Sequence, residues 1–475
     1  MLTYSLSEAG SEPLYQHLYQ CIKSDIITGI LTADEKLPSK RSFAKNLGIS
    51  TITVENAYAQ LIAEGFVYSL PKKGFFVAHI RNGLPGQREK SDKKKVREQE
   101  KRPDYLADFT SNQTCTEQFP FSIWAKLMRT VLREDREELM INAPCAGILP
   151  LREAIAGHLR AFRGMDVEPE QIVVGAGTEY LYGLLLQLLG MEKCYGVENP
   201  GYHKIYKIYK SNRVACSYVD MDDAGVCISS LEEKKVDVVH ISPSHHFPTG
   251  MVMPVSRRYE LLGWAAKEKG RYIIEDDYDS ELRLTGKPVP PLQSIDVQEK
   301  VIYMNTFTKT LSSTVRISYM VLPEHLVRLF SERLSFYSCT VSNFEQYVLA
   351  RFIKEGYFEK HINRMRNYYH VKRDLLLKQI ADSRIADCCR ISEEDAGLHF
   401  LMETDTVLSD KEVCAALEKE GIKISSVAQY YADSVKTKEH VFVMNYSSLE
   451  EKNMEKVIRS LERVFVKNEI CYLNL

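Results

Sequence analysis

No stretch of the 475 residues approaches the ~20 consecutive apolar residues that a membrane helix needs. The opening residues, Met1 to Leu6, lack the charged start and long apolar run of a secretory signal. Cysteine is present eleven times but never at CxxC spacing. An odd, scattered set without a secretory signal is the pattern of reduced thiols that fill cores, so a cytoplasmic protein with no structural metal is expected. The adjacent pair Cys388-Cys389 receives no role. Net charge is also nearly missing, at −2, so total charge says nothing about partners and its distribution must be read instead. Apolar content of 44% and charged content of 27% are ordinary for a globular chain, and the length is too great for one ordinary core.

What is present begins with three short helical patterns. Pro13 opens the first, with Leu14, Leu18, Ile22 and Ile26 at i+4 spacing and Gly29 as a stop. Ser39 caps the second, whose apolar face is Phe43, Ala44 and Leu47. Gly48-Ile49-Ser50 is a tight turn into the third, with Val54, Ala57, Tyr58, Leu61 and Ile62 as its buried stripe and Gly65 as its end. Phe66-Val67-Tyr68 and Phe75-Phe76-Val77 flank the turn Pro71-Lys72-Lys73-Gly74, which makes a basic β-hairpin. Three helices followed by a basic wing point to DNA. Thr51, Thr53, Glu55 and Asn56 lie on the solvent face of the third helix, where short polar groups reach base edges in a major groove. Lys40, Arg41, Lys45, Lys72 and Lys73 lie where phosphates would pass.

Residues 1–80 resemble the winged helix-turn-helix of GntR-type transcription regulators. The resemblance rests on Leu37-Pro38-Ser39-Lys40-Arg41, Ala44, Leu47, Ile49-Ser50, Thr53-Val54, Ala57-Tyr58, Leu61 and Glu64-Gly65. It departs at Thr51, where many members carry arginine. Residues 81–104 are almost free of apolar side chains and rich in lysine and arginine. Such a stretch cannot bury enough surface to offset its ordering entropy, so a flexible basic linker is expected.

From residue 105 to 475 the pattern changes to alternating strands and helices. Gln171-Ile172-Val173-Val174 reads as a strand, and Gly175 to Glu179 lead into a helix carrying Leu181, Leu184, Leu185 and Leu188. Val236 to Ile241, Arg271 to Ile274 and Val301 to Met304 are further strands, the last of buried, parallel type. Each ends in polar chemistry: Ser242 to Gly250, Glu275 to Asp279, and Thr306-Phe307-Thr308-Lys309 with Arg316 beyond. Open α/β sheets place ligands at that edge.

A lysine, a carboxylate, a phenol and an anion cradle at one edge suit pyridoxal 5′-phosphate (PLP). Its aldehyde needs a lysine amine for a Schiff base, and its ring nitrogen needs a carboxylate to stay protonated. Lys309 is the expected Schiff-base lysine and Asp276 the ring-nitrogen partner. Tyr278, two residues on along an extended chain, shares the side of Asp276 and donates to the phenolic oxygen. Arg316 and Thr306 are expected on the phosphate, with Gly177, Thr178 and Glu179 supplying a helix N-terminus. Tyr202, in Asn199-Pro200-Gly201-Tyr202, is the candidate stacking ring.

Residues from about 105 to 465 resemble a fold-type I, aspartate aminotransferase-like PLP domain. Joined to a GntR-type wing, the chain resembles the MocR-type regulators, of which the GabR-like proteins are familiar members. The motifs are Pro243-Ser244-His245 with Phe247-Pro248-Thr249-Gly250, Met253-Pro254, Arg257-Arg258, Glu275 to Glu281, Pro291-Leu292-Gln293, and Thr306 to Lys309 with Arg316. The resemblance implies a mostly parallel central sheet with a smaller C-terminal α+β part. It also implies the roles above for Lys309, Asp276, Tyr278 and Arg316, and a domain-swapped homodimer.

Two departures bear on the effector. Lys204 stands where γ-aminobutyrate-responsive members have arginine, and no arginine lies between Arg390 and Arg459. A bidentate carboxylate clamp needs a guanidinium, which argues against γ-aminobutyrate. The reading is a PLP-dependent transcription regulator that binds operator DNA and senses PLP, or an amine or amino-acid ligand, through an internal aldimine on Lys309. An active aminotransferase with an accessory DNA-binding domain is the alternative; half-reactions without efficient turnover are expected of the domain. A cofactor-free dimerisation domain is the third reading.

Overall fold

The computed structural model describes residues 2–5, 12–79, 105–111, 113–284, 289–395, 397–432 and 438–466. The chain divides into two compact units, Met1–Arg102 and Pro103–Leu475. The expected linker at 81–104 lies outside the described residues.

The first unit is a winged helix. Helices Leu14–Ile27, Lys40–Leu47 and Thr51–Ala63 pack around Leu18, Ile22, Phe43, Val54, Tyr58 and Leu61. The caps are those the sequence suggests: Ser39 accepts from the Ser42 amide, Ser50 accepts from the Thr53 amide, and Gly48 closes the middle helix at φ 68°. The wing strands are Val67–Leu70 and Gly74–Val77. A short strand, Lys36–Leu37, joins them antiparallel beside Phe75 and Phe76. Two residues are too few to show alternation, so the sequence gives no sign of it. Ile62, expected inside, is 37% exposed; the buried stripe is narrower than its apolar pattern.

The second unit is built on an eight-stranded sheet. Its strands run in the order Ile172–Gly175, Ser318–Val321, Val301–Thr306, Tyr272–Asp276, Val238–Ile241, Cys194–Asn199, Ala215–Asp222 and Gly225–Val226. The middle strands pair in parallel, while Ser318–Val321 and Gly225–Val226 run antiparallel to their neighbours. Val301–Thr306 therefore has one parallel and one antiparallel neighbour. It is buried along its whole length, with helices on both faces. The 25-residue helix Tyr357–Ala381 leads to a smaller antiparallel sheet of Cys389–Ser392, His399–Thr404, Val441–Asn445 and Ser425–Ser426. Helices Asp410–Lys419 and Met454–Phe465 cover it. This is the expected fold class, a fold-type I domain with a C-terminal α+β part. Among the described residues no helix is long and apolar enough to cross a membrane.

Candidate functional site

A cavity of about 410 Å³ opens where the strands Val238–Ile241, Tyr272–Asp276 and Val301–Thr306 end. Gly177, Thr178, Glu179, Tyr202, Asp276, Tyr278, Thr306, Lys309 and Arg316 all line it. Every residue expected at a cofactor is thus brought to one place, from segments spread over 140 positions of sequence, roughly the span of an ordinary domain.

Asp276 is the last residue of its strand and is buried. Its Oδ2 accepts from the Tyr182 hydroxyl at 2.8 Å and lies 3.5 Å from His240 Nε2. His240 is held in turn by the Tyr209 hydroxyl, 2.7 Å from Nδ1. Oδ1 is buried without a hydrogen-bond partner among the described residues. A buried carboxylate oxygen left bare costs of order 1–3 kcal/mol, so a donor is called for, and a ring N–H supplies one. Tyr182 and His240 escaped the sequence reading. His240 is the one polar residue in an otherwise apolar strand, and Tyr182 follows Thr178 by one helical turn; these were the available signals.

Lys309 follows the buried strand on a short turn. Burial pushes its amine from 10.5 down to about 8, against the raising influence of the Asp279 charge. A larger fraction of neutral amine is therefore present near neutrality, as a nucleophile toward an aldehyde requires.

The anion cradle has three sides. Helix Thr178–Leu189 presents its first amides, which have no intrahelical partner. Arg316, with a left-handed φ of 53°, lays its guanidinium against Gly177. A Cβ at position 177 would sit 2.6 Å from Arg316 Nη2, so glycine is what lets the guanidinium approach. The Thr306 hydroxyl lies 2.7 Å from that of Thr308 and accepts from Ser318 at 2.8 Å. The carboxylate of Glu179 is bound to the Lys204 ammonium, which holds it below the usual carboxylate range. What Glu179 offers an anion is its amide and not its side chain.

Tyr202 stands at the mouth, 43% exposed, with its ring edge-on to Phe247 at 6.0 Å. Its backbone is bracketed by the C-terminal part of the chain. Gly201 donates to the Tyr430 carbonyl at 3.1 Å, Ala432 donates to Asn199 Oδ1 at 2.9 Å, and His203 Nε2 lies 2.9 Å from the Gln429 carbonyl. Tyr278 lines the cavity for a different reason than expected. The strand stops at Asp276 and the chain bends, so the two side chains share a side through the turn and not through strand alternation. His246 is enclosed, bonded through Nδ1 to Thr249 at 2.7 Å, and burial pushes it down to about 3.

The residues fit PLP: a bare buried acceptor for the ring nitrogen, an amine of lowered basicity, and a cradle closed by arginine and glycine.

On the wing, Arg41, Thr51, Asn56, Lys72 and Lys73 are exposed, as is the apolar Ile52 at 68%. Two expected contacts have internal partners. The Thr53 hydroxyl lies 2.8 Å from Ser50 Oγ, and the Lys40 ammonium is 2.6 Å from Glu55 Oε1.

Known proteins agree with both units. Residues 14–77 match the gntR family of bacterial regulatory proteins, and residues 106–461 match aminotransferase class I and II. The HTH-type transcriptional regulator YdeL of Bacillus subtilis is 38% identical, over 97% of this chain and 98% of its own. The probable rhizopine catabolism regulatory protein MocR of Rhizobium meliloti is 31% identical, over 98% and 96%. The pyridoxine biosynthesis transcriptional regulator PdxR of Corynebacterium glutamicum is 28% identical, over 87% and 88%. Among solved structures, an archaeal alanine:glyoxylate aminotransferase superposes with a TM-score of 0.67 at 23% identity, covering 76% of this chain and 91% of that one. The chain belongs to the HTH-type transcriptional regulators that join a GntR-type DNA-binding wing to a PLP-dependent aminotransferase class I and II domain.

Proposed function

We propose that this regulator reads the supply of PLP, held through Lys309, and passes the state of that cavity to its DNA-binding wing. Asp276 receives the ring nitrogen, Tyr278 donates to the phenolic oxygen, and Tyr202 covers the ring face. Arg316, Thr306 and the amides of Gly177, Thr178 and Glu179 hold the phosphate. When bound, the cofactor supplies an electron-withdrawing ring and an aldehyde that an amine can capture. The observation that carries this reading is the bare, buried Oδ1 of Asp276 in the same cavity as an amine of lowered basicity.

PLP itself, or an amine without a carboxylate, suits the remaining space better than an α-amino acid. Lys204 is tied to Glu179, and the strand Val441–Asn445 is buried and carries no arginine. Arg316 is the one arginine on the cavity wall among the described residues, and the phosphate claims it. A relative named for pyridoxine biosynthesis points the same way. Arg41, Thr51, Thr53, Asn56, Lys72 and Lys73 contact operator DNA, with Lys40 set by its bond to Glu55. The working form is a homodimer with exchanged wings in the cytoplasm.

The test is DNA binding by the purified chain on the promoter next to its gene, with and without PLP. Affinity should change on adding PLP and stay fixed in a Lys309→Ala variant. A wild-type affinity indifferent to PLP would refute the sensing role.

A further inference from the structure

Behind the cavity lies a second buried cluster, built on His245 and Asp279. His245 and Asp279 are 2% and 5% exposed, and His245 Nδ1 is 2.8 Å from Asp279 Oδ2. A carboxylate only accepts, so Nδ1 carries the proton between them. The Tyr278 hydroxyl is 3.4 Å from the same nitrogen. It cannot donate to a nitrogen already bearing a proton, so its own proton is left for the cavity that Tyr278 lines. The imidazole is fixed from two further sides. Its ring stacks on His399 at 4.6 Å between centroids. At Gly397 a Cβ would strike the imidazole and come within 2.8 Å of Asp279 Oδ2. The other titratable groups acting on His245 are His246, His399 and Glu393, while Lys309 and Asp277 act on Asp279.

We infer that His245 is a positioning residue: its Nδ1–H anchors Asp279 and aims the Tyr278 hydroxyl at the cofactor's phenolic oxygen. The inference rests on PLP being held at Lys309. A donor on the phenolic oxygen draws charge from it and loosens the proton that this oxygen shares with the lysine-derived nitrogen. Misplacing Tyr278 makes that proton harder to lose. That raises the pH at which the bound cofactor changes colour.

Two variants separate positioning from packing. In His245→Asn the amide nitrogen falls where Nδ1 was, while in His245→Gln it falls where Nε2 was, and Nε2 has no partner among the described residues. Full-length wild type and both variants, loaded with PLP, are titrated by visible absorbance, with thermal melting as a check on folding. His245→Asn should keep the wild-type midpoint. His245→Gln should move it up by about one pH unit, the scale of one lost hydrogen bond to a charged group. Equal midpoints in the two variants, or a downward shift in His245→Gln, overturn the role of His245 alone. Absence of any visible band in the wild type removes the cofactor reading, and this inference with it.

Discussion

The wing holds the side chains proposed to meet DNA on the outside of a small core. Arg41, Thr51, Asn56, Lys72 and Lys73 face solvent, and their removal leaves Leu18, Ile22, Val54 and Tyr58 packed as before. At the cavity, by contrast, Asp276, Tyr182 and His240 are buried in a shared contact network, and burial lowers the basicity of Lys309 and raises the pKa of the Tyr182 hydroxyl. A regulator built this way separates two kinds of sensitivity. DNA contacts are screened by salt and can be traded singly, whereas cofactor contacts are coupled and depend on pH.

The contrast is broken most sharply at Lys309. Lys309→Ala should abolish the visible absorbance band on adding PLP, while DNA affinity without PLP stays within a few-fold of wild type, the margin left to a residue that touches no phosphate. A band that survives would show attachment elsewhere. Acid should act nearly as strongly. Below its folded value near 8, the neutral fraction of Lys309 falls about tenfold per pH unit, and stopped-flow attachment rates should fall with it. A rate midpoint near 10.5 would mean that burial does not tune the amine. Gly177→Ala comes next. It places a Cβ 2.6 Å from Arg316 Nη2 and pushes the guanidinium out of the cradle; losing one charge-assisted contact, roughly 1.5–3 kcal/mol, should weaken PLP affinity by equilibrium titration about 10- to 100-fold. Unchanged affinity would release Arg316 from the phosphate. The smallest effect belongs to the wing. Lys72→Ala or Lys73→Ala should each lower the slope of log affinity against log salt by about one and leave the PLP band untouched. A slope equal to that of wild type would take the lysine off the DNA backbone.

The same contrast governs what was legible in the residues themselves. The wing's helices repeat apolar residues at fixed spacing and stop at glycines, so Ser39, Ser50 and Gly48 fall where the pattern puts them. At the cavity, strand ends could be read because apolar runs break into polar ones, which placed Asp276, Thr306 and Lys309. Contacts between distant segments left no such trace. Tyr182 and His240 meet Asp276 only after the sheet has formed, and Asp279 meets His245 across 34 positions. The bend that carries Tyr278 and the left-handed backbone of Arg316 are likewise local geometry that residue type alone does not announce.

The bracket around Tyr202 has a historical consequence. Its hydrogen bonds reach across 226 and 233 positions, from 199–203 to 429–432. The 429–432 side gives only main-chain groups, two carbonyls and an amide, whereas the 199–203 side gives an amide and the side chains of Asn199 and His203. Residue type is therefore constrained on one side only: Asn199 and His203 must keep their polar groups, while 429–432 can exchange side chains freely as long as position 432 is not proline. A regulator that acquired a new ligand at its mouth could then vary the end of the chain while the middle stayed fixed.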